Sequence, residues 1–87
     1  MRWWVEVSKE ARSNIRDMKH SRDDATSISH HLAQLASQAT PGEALRLITG
    51  QELRYTSVGR FSIVFKLKPS EFQPPGTLVV ISITALS

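Results

Sequence analysis

Cations crowd one short stretch of this chain. Arg54, Arg60, Lys66 and Lys68 fall within Glu52 to Lys68, ELRYTSVGRFSIVFKLK, and Arg46 stands a few residues upstream. Such residues hold anions, either a nucleic-acid backbone or an acidic protein surface. The only tyrosine, Tyr55, lies in the same stretch; its register with Leu53 makes it a core or edge residue. Three imidazoles, His20, His30 and His31, are the other titratable candidates. His30 and His31 are neighbours on a helix, so their side chains diverge by about 100°. A metal site would need a third ligand close by, and none is expected. Asp23 and Asp24 read as charges favouring the positive end of a helix. There is no cysteine, hence no disulfide and no thiolate chemistry.

These residues depend on the elements that carry them. Leu53 and Tyr55 alternate with Arg54 and Thr56, and Ser57-Val58-Gly59-Arg60 makes a turn. Phe61, Ile63, Phe65 and Leu67 then alternate with Ser62, Val64, Lys66 and Lys68. A period of two over this length is a β-hairpin with one face on a core and one face free. Upstream, Arg2 to Val7 is a short strand with Trp3, Val5 and Val7 on one side and Trp4 on the other. Trp4 then either packs over a sheet edge or belongs to a contact surface. Ser8 caps a helix from Lys9 to Lys19 with a narrow stripe of Ala11, Ile15 and Met18. Arg12, Arg16 and Lys19 flank it, as a solvated face or a phosphate-tracking stripe. Ser21 opens a second helix with Ala25, Ile28, Leu32, Leu35, Ala36 and Ala39 at helical spacing. Only His20 and at most Lys19 separate the two, so a tight antiparallel pair is expected. Pro41 and Gly42 end the second helix. Glu43 to Ile48, EALRLI, fits one helical turn or an extended arm. Pro69 to Gly76, PSEFQPPG, is a loop. Thr77 to Thr84, TLVVISIT, is a central strand.

The expected order is β-α-α-β-β-β: an α+β fold with a helical hairpin on one face of a small curled antiparallel sheet. Arg54, Ser62, Val64, Lys66 and Lys68 are candidates for the open face. With 87 residues and 40% apolar content the chain makes one domain, residues 1–87, with one small core. No apolar run approaches the roughly 20 residues that span a bilayer, and no cleavable signal pattern is seen. A soluble cytoplasmic protein is expected. The net charge of +3 tilts toward an anionic partner.

This order resembles the RelE/ParE superfamily, the toxins of bacterial toxin–antitoxin pairs. The resemblance runs from Trp3 to Ile83 and is sharpest at Val58-Gly59-Arg60-Phe61-Ser62-Ile63-Val64-Phe65, where the family commonly has Val-Gly-acid-Tyr-Arg-Ile-Val-Tyr. SKEARSNI is similar to the family's Ser-Pro-Glu-Ala-like start, and LVVISI to its last strand. The resemblance implies a toxin of a type II module that arrests growth at translation, by cutting ribosome-bound mRNA or by binding the ribosome. It also implies an antitoxin partner and no cofactor. Two departures stand out. Ser62 occupies the position of the family's catalytic Arg, and Thr84-Ala85-Leu86-Ser87 replaces a cationic segment after the last strand. RNA cleavage by 2′-OH attack needs a proton acceptor, a proton donor and cations around the transition state. Arg54, Arg60 and Ser62 are what the chain offers as catalytic candidates. Arg46, Arg54, Arg60, Lys66 and Lys68 would hold RNA phosphate. Trp4, Ile15, Met18 and Phe72 would meet a protein partner, Phe72 alternatively folding onto its own hairpin. Two further readings stay open: a ParE-like inhibitor of DNA gyrase, and a catalytically degenerate toxin fold kept as a protein-binding module.

Overall fold

The computed structural model describes residues 2–17, 22–38, 41–46 and 52–85. It is an α+β domain with elements β1 (Trp4–Val7), α1 (Lys9–Asp17), α2 (Arg22–Ala36), β2 (Glu43–Arg46), β3 (Glu52–Val58), β4 (Phe61–Pro69) and β5 (Gly76–Ala85). One sheet takes all five strands in the order β1-β5-β4-β3-β2.

Two features differ from the expected sheet. EALRLI takes the extended alternative rather than the helical turn over its described part, and more than an arm: Glu43 to Arg46 pairs antiparallel with β3 and adds an edge strand. Four residues are too few to display a period that distinguishes strand from helix. The sheet is also mixed rather than antiparallel, because β1 runs parallel to β5, with Trp4 opposite Thr77 and Val7 opposite Val80. Two helices lie between β1 and the rest of the sheet, and a crossover of that kind is what parallel neighbours require.

The core forms where the helices meet the sheet. Ala11, Ile28, Leu32, Leu35 and Ala36 from the helices bury with Phe61, Ile63, Phe65, Leu78, Val80 and Ile83 from the central strands, and Trp3 closes one end. Both helices pack on the sheet: α1 lies against β5, and α2 against β1 and β3. Between the helices opens a groove of about 390 Å³ lined by Val5, Val7 and Ile15 on one side and Ala25, Ile28 and Leu32 on the other. Met18, His20 and Ser21 lie outside the described residues.

Helix α1 is fastened to β5 by side chains. Register shifts by one between Val64–Ser82 and Phe65–Val80, so Ile81 is an extra residue on β5. Beyond Val80 the strand also outruns β1, which would leave backbone groups unpaired. Ser8 Oγ donates to the Ile81 carbonyl at 3.1 Å, and Asn14 Oδ1 accepts from the Ile83 N–H at 3.1 Å. The same Ser8 hydroxyl accepts from the Ala11 N–H at 3.1 Å and so caps the helix.

The β3–β4 turn is tighter than the four residues expected. Val58 pairs with Phe61, leaving Gly59 and Arg60 as a two-residue loop. Gly59 has φ 57 and, among the described residues, only glycines take a positive φ, so Arg60 does not, the sign pattern of a type II′ turn.

Candidate nucleic-acid interface on the open sheet face

Strand register decides which side chains share the face without helices. Across β1, β5 and β4, Trp4, Thr77 and Lys68 form one row, and Glu6, Val79 and Lys66 form the next. Further along, Ser82 and Val64 continue to Tyr55 on β3 and Glu43 on β2. The last row is Ser57, Ser62 and Thr84. Ser62, the catalytic candidate, thus sits half-buried between two other hydroxyls with no cation in its row.

The four expected phosphate holders whose side chains are described do not converge. Lys66 and Lys68 share the open face. Arg54 pairs in register with Phe65, which places it on the helix side. There its guanidinium donates to the carbonyls of Pro41 and Gly42, the latter at 2.8 Å. It serves as a cap for the chain leaving α2 rather than as a free cation. Arg60 lies in the turn, 3.5 Å from Asp24 at the start of α2 and 5.0 Å from the centroid of the Phe61 ring. Arg46 is the last residue of β2, opposite Glu52; its side chain lies outside the described part.

The faces of β3 are the reverse of those expected. Tyr55 is not a core residue: it is half-buried on the open face, beside the edge strand. Its hydroxyl donates to Glu43 Oε2 at 2.7 Å. That hydrogen bond first, then the carboxylate's charge, then desolvation push the phenol above its ordinary value of 10.0. Lys66 stands two residues from Val64, the partner of Tyr55, and is therefore a diagonal neighbour of the phenol. Sequence reasoning missed Glu43 altogether, because its partner was visible only once EALRLI became a strand. Behind this edge, His31 Nε2 and Thr56 Oγ1 share a hydrogen bond of 2.8 Å on the helix side. His31 is thereby a tie between α2 and β3, and His30 is exposed.

The apolar contact candidates separate similarly. Trp4 is 76% exposed and Phe72 is 95% exposed, so neither packs over an edge or folds onto its own hairpin. Ile15 is half-buried in the interhelical groove. A pocket of about 190 Å³ opens beside Trp4, lined by Arg2, Ser70, Gln73 and Thr77. Its floor is the β4–β5 loop, closed by the Ser70 N–H on the Pro75 carbonyl at 3.1 Å.

What the face offers chemically is two ammonium groups, an exposed indole beside a polar pocket, and one phenol–carboxylate pair. Among the described residues, no helix is long and apolar enough to cross a membrane. No family model and no curated protein sequence matches this chain.

Proposed function

We propose that this chain is a RelE/ParE-like toxin that arrests growth at translation by holding RNA on the open face of its sheet. The observation that carries the reading is the joint placement of Lys66 and Lys68 on β4 and the exposed Trp4 on β1, with β5 between them, on the helix-free face. Cations beside an exposed aromatic ring form a surface on which a single strand can both track its phosphates and stack its bases. The element order strand, helix, helix, then an antiparallel meander supports the family reading. In this reading the protein works in the cytoplasm and is held by an antitoxin. The groove containing Ile15 is the apolar surface that such a partner would fill; Met18, the other candidate there, lies outside the described residues. Phe72 is a second contact.

Binding without cutting is the form best supported, because the Ser62 row holds no cation or imidazole. One observation favours a cutting variant. Glu43 is a carboxylate that could accept a proton, with Tyr55 as donor and Lys66 diagonal to Tyr55. Two measurements separate the forms. Induction in a bacterial culture with pulse-labelling should stop protein synthesis before DNA synthesis, and the double substitution Lys66→Ala, Lys68→Ala should relieve the arrest. Purified protein added to programmed ribosomes should leave the mRNA whole. Cuts abolished by Glu43→Gln would establish the nuclease form, whereas DNA synthesis failing first would move the target to gyrase.

A further inference from the structure

The proposed open-face reading leaves one feature unexplained. A tryptophan has no reason of stability to stand 76% exposed on a sheet whose other Trp, the adjacent Trp3, is 7% exposed in the core. Resting on that reading, we propose that Trp4 is a stacking platform for one unpaired base of a single-stranded nucleic acid, and that the pocket beside it takes that base's polar edge.

Three observations converge. The indole lies in a row with Thr77 and Lys68, so a base on its face places the adjoining phosphate toward a cation on β4. Arg2, two residues before Trp4 and exposed, flanks the other side. The pocket of about 190 Å³ between them suits part of one base rather than a side chain cluster. Its lining carries hydroxyl and amide groups from Ser70, Gln73 and Thr77, which can donate and accept as a base edge requires. The Ser70 hydroxyl already accepts from the Gln73 N–H at 3.1 Å, which holds the loop in shape. Charge favours this occupant. Arg2 and Lys68 bracket the indole and Lys66 follows, against the single carboxylate of Glu6 in the lysine rows. An acidic protein would satisfy the cations but would have no use for a flat, solvent-facing ring beside a pocket of this size.

The test is tryptophan fluorescence of the whole chain titrated with a decamer of uridylate, a decamer of thymidylate and a blunt duplex of equal charge. Trp3 is buried, so quenching reports Trp4. The uridylate decamer should quench saturably and the duplex should not. Trp4→Ala should weaken binding, followed by anisotropy of a labelled decamer, about tenfold or more. Trp4→Phe should recover most of it, since a phenyl ring also stacks. Equal quenching by the thymidylate decamer supports stacking without a read of the 2′-hydroxyl. Because Trp4 lies outside the core, both variants should melt as the parent does. Binding that is salt-dependent but unchanged in Trp4→Ala overturns the stacking site and leaves the open-face reading intact. A parent chain that binds no oligonucleotide overturns both, and returns Trp4 with Phe72 to the class of protein contacts.

Discussion

Two side chains test the electrostatics and packing of single residues. Tyr55 is the only tyrosine, so its ionisation can be followed by ultraviolet absorbance without interference from a second phenol. Its pKa is raised, chiefly because the neutral phenol donates to Glu43. The phenol should therefore titrate above 10.0, and Glu43→Gln should bring the midpoint back toward that value. The sign follows from linkage: the raised folded-state pKa contributes stability that is complete below the unfolded value and lost as pH climbs through the folded one. A midpoint unmoved by Glu43→Gln would mean that the pair does not form in solution. Trp3 tests packing. Its indole Nε1 is buried without a hydrogen-bond partner, which costs about 1–3 kcal/mol. Trp3→Phe removes the orphan donor along with some volume, and the two effects oppose. The expected net change in urea unfolding is within about 1 kcal/mol, against about 3–5 kcal/mol for Trp3→Ala. Arg54 shows why residue-level reading of the hairpin stopped short. Alternation correctly separated Arg54 and Thr56 from Leu53 and Tyr55, but a one-step ambiguity of register exchanges the two faces. What settles the choice is the pair of carbonyls at Pro41 and Gly42, contributed by a distant turn.

At the level of elements, α1 and β5 depend on each other. Asn14→Ala should leave the Ile83 N–H without its acceptor and lower stability by about 1–3 kcal/mol. Asn14→Asp keeps an acceptor at that position and should recover most of the loss in the same urea titration. The β4–β5 connection is equally constrained. Gly76 has φ 132, and a Cβ there would sit 2.1 Å from the Lys68 carbonyl oxygen and 2.8 Å from the Pro69 Cα. Backbone on both sides cannot yield as a side chain would. Gly76→Ala should cost at least about 3 kcal/mol and should also distort the pocket beside Trp4. The helices and the three long strands were legible because each spans enough residues to show its period. β2 was not, since four residues carry no period and nothing within them states that they will pair with Glu52 to Tyr55. The parallel pairing of β1 was not legible either, because nothing local to RWWVEV states which strand it will meet.

For the whole molecule, the open face is the surface on which charge and shape act together. If Lys66 and Lys68 each neutralise one phosphate of a single strand, each alanine substitution should reduce the slope of log affinity against log salt by about 0.7. An unchanged slope in the double variant would remove the lysines from the interface. The helix-bearing side behaves differently. Two of its cations, Arg54 and Arg60, are already engaged with carbonyls and with Asp24, and Arg54→Ala should act on stability rather than on affinity. The separation was hidden in the sequence, where Arg54 and Arg60 stand among the same charges as Lys66 and Lys68.

The parallel neighbours β1 and β5 have a consequence during synthesis. Ser8 reaches Ile81 across 73 residues of chain, and Trp4 to Val7 find their hydrogen-bonding partners only at Thr77 to Val80. At about 5–20 residues per second, the first strand waits roughly 4–15 s for the last to be made. Through that interval Trp3, Val5 and Val7 have no sheet to bury against, and folding must end with a long-range closure of the slow kind. The nascent chain should therefore be a strong client for chaperones that hold apolar segments, and refolding of the complete protein should be limited by the docking of its N-terminal strand.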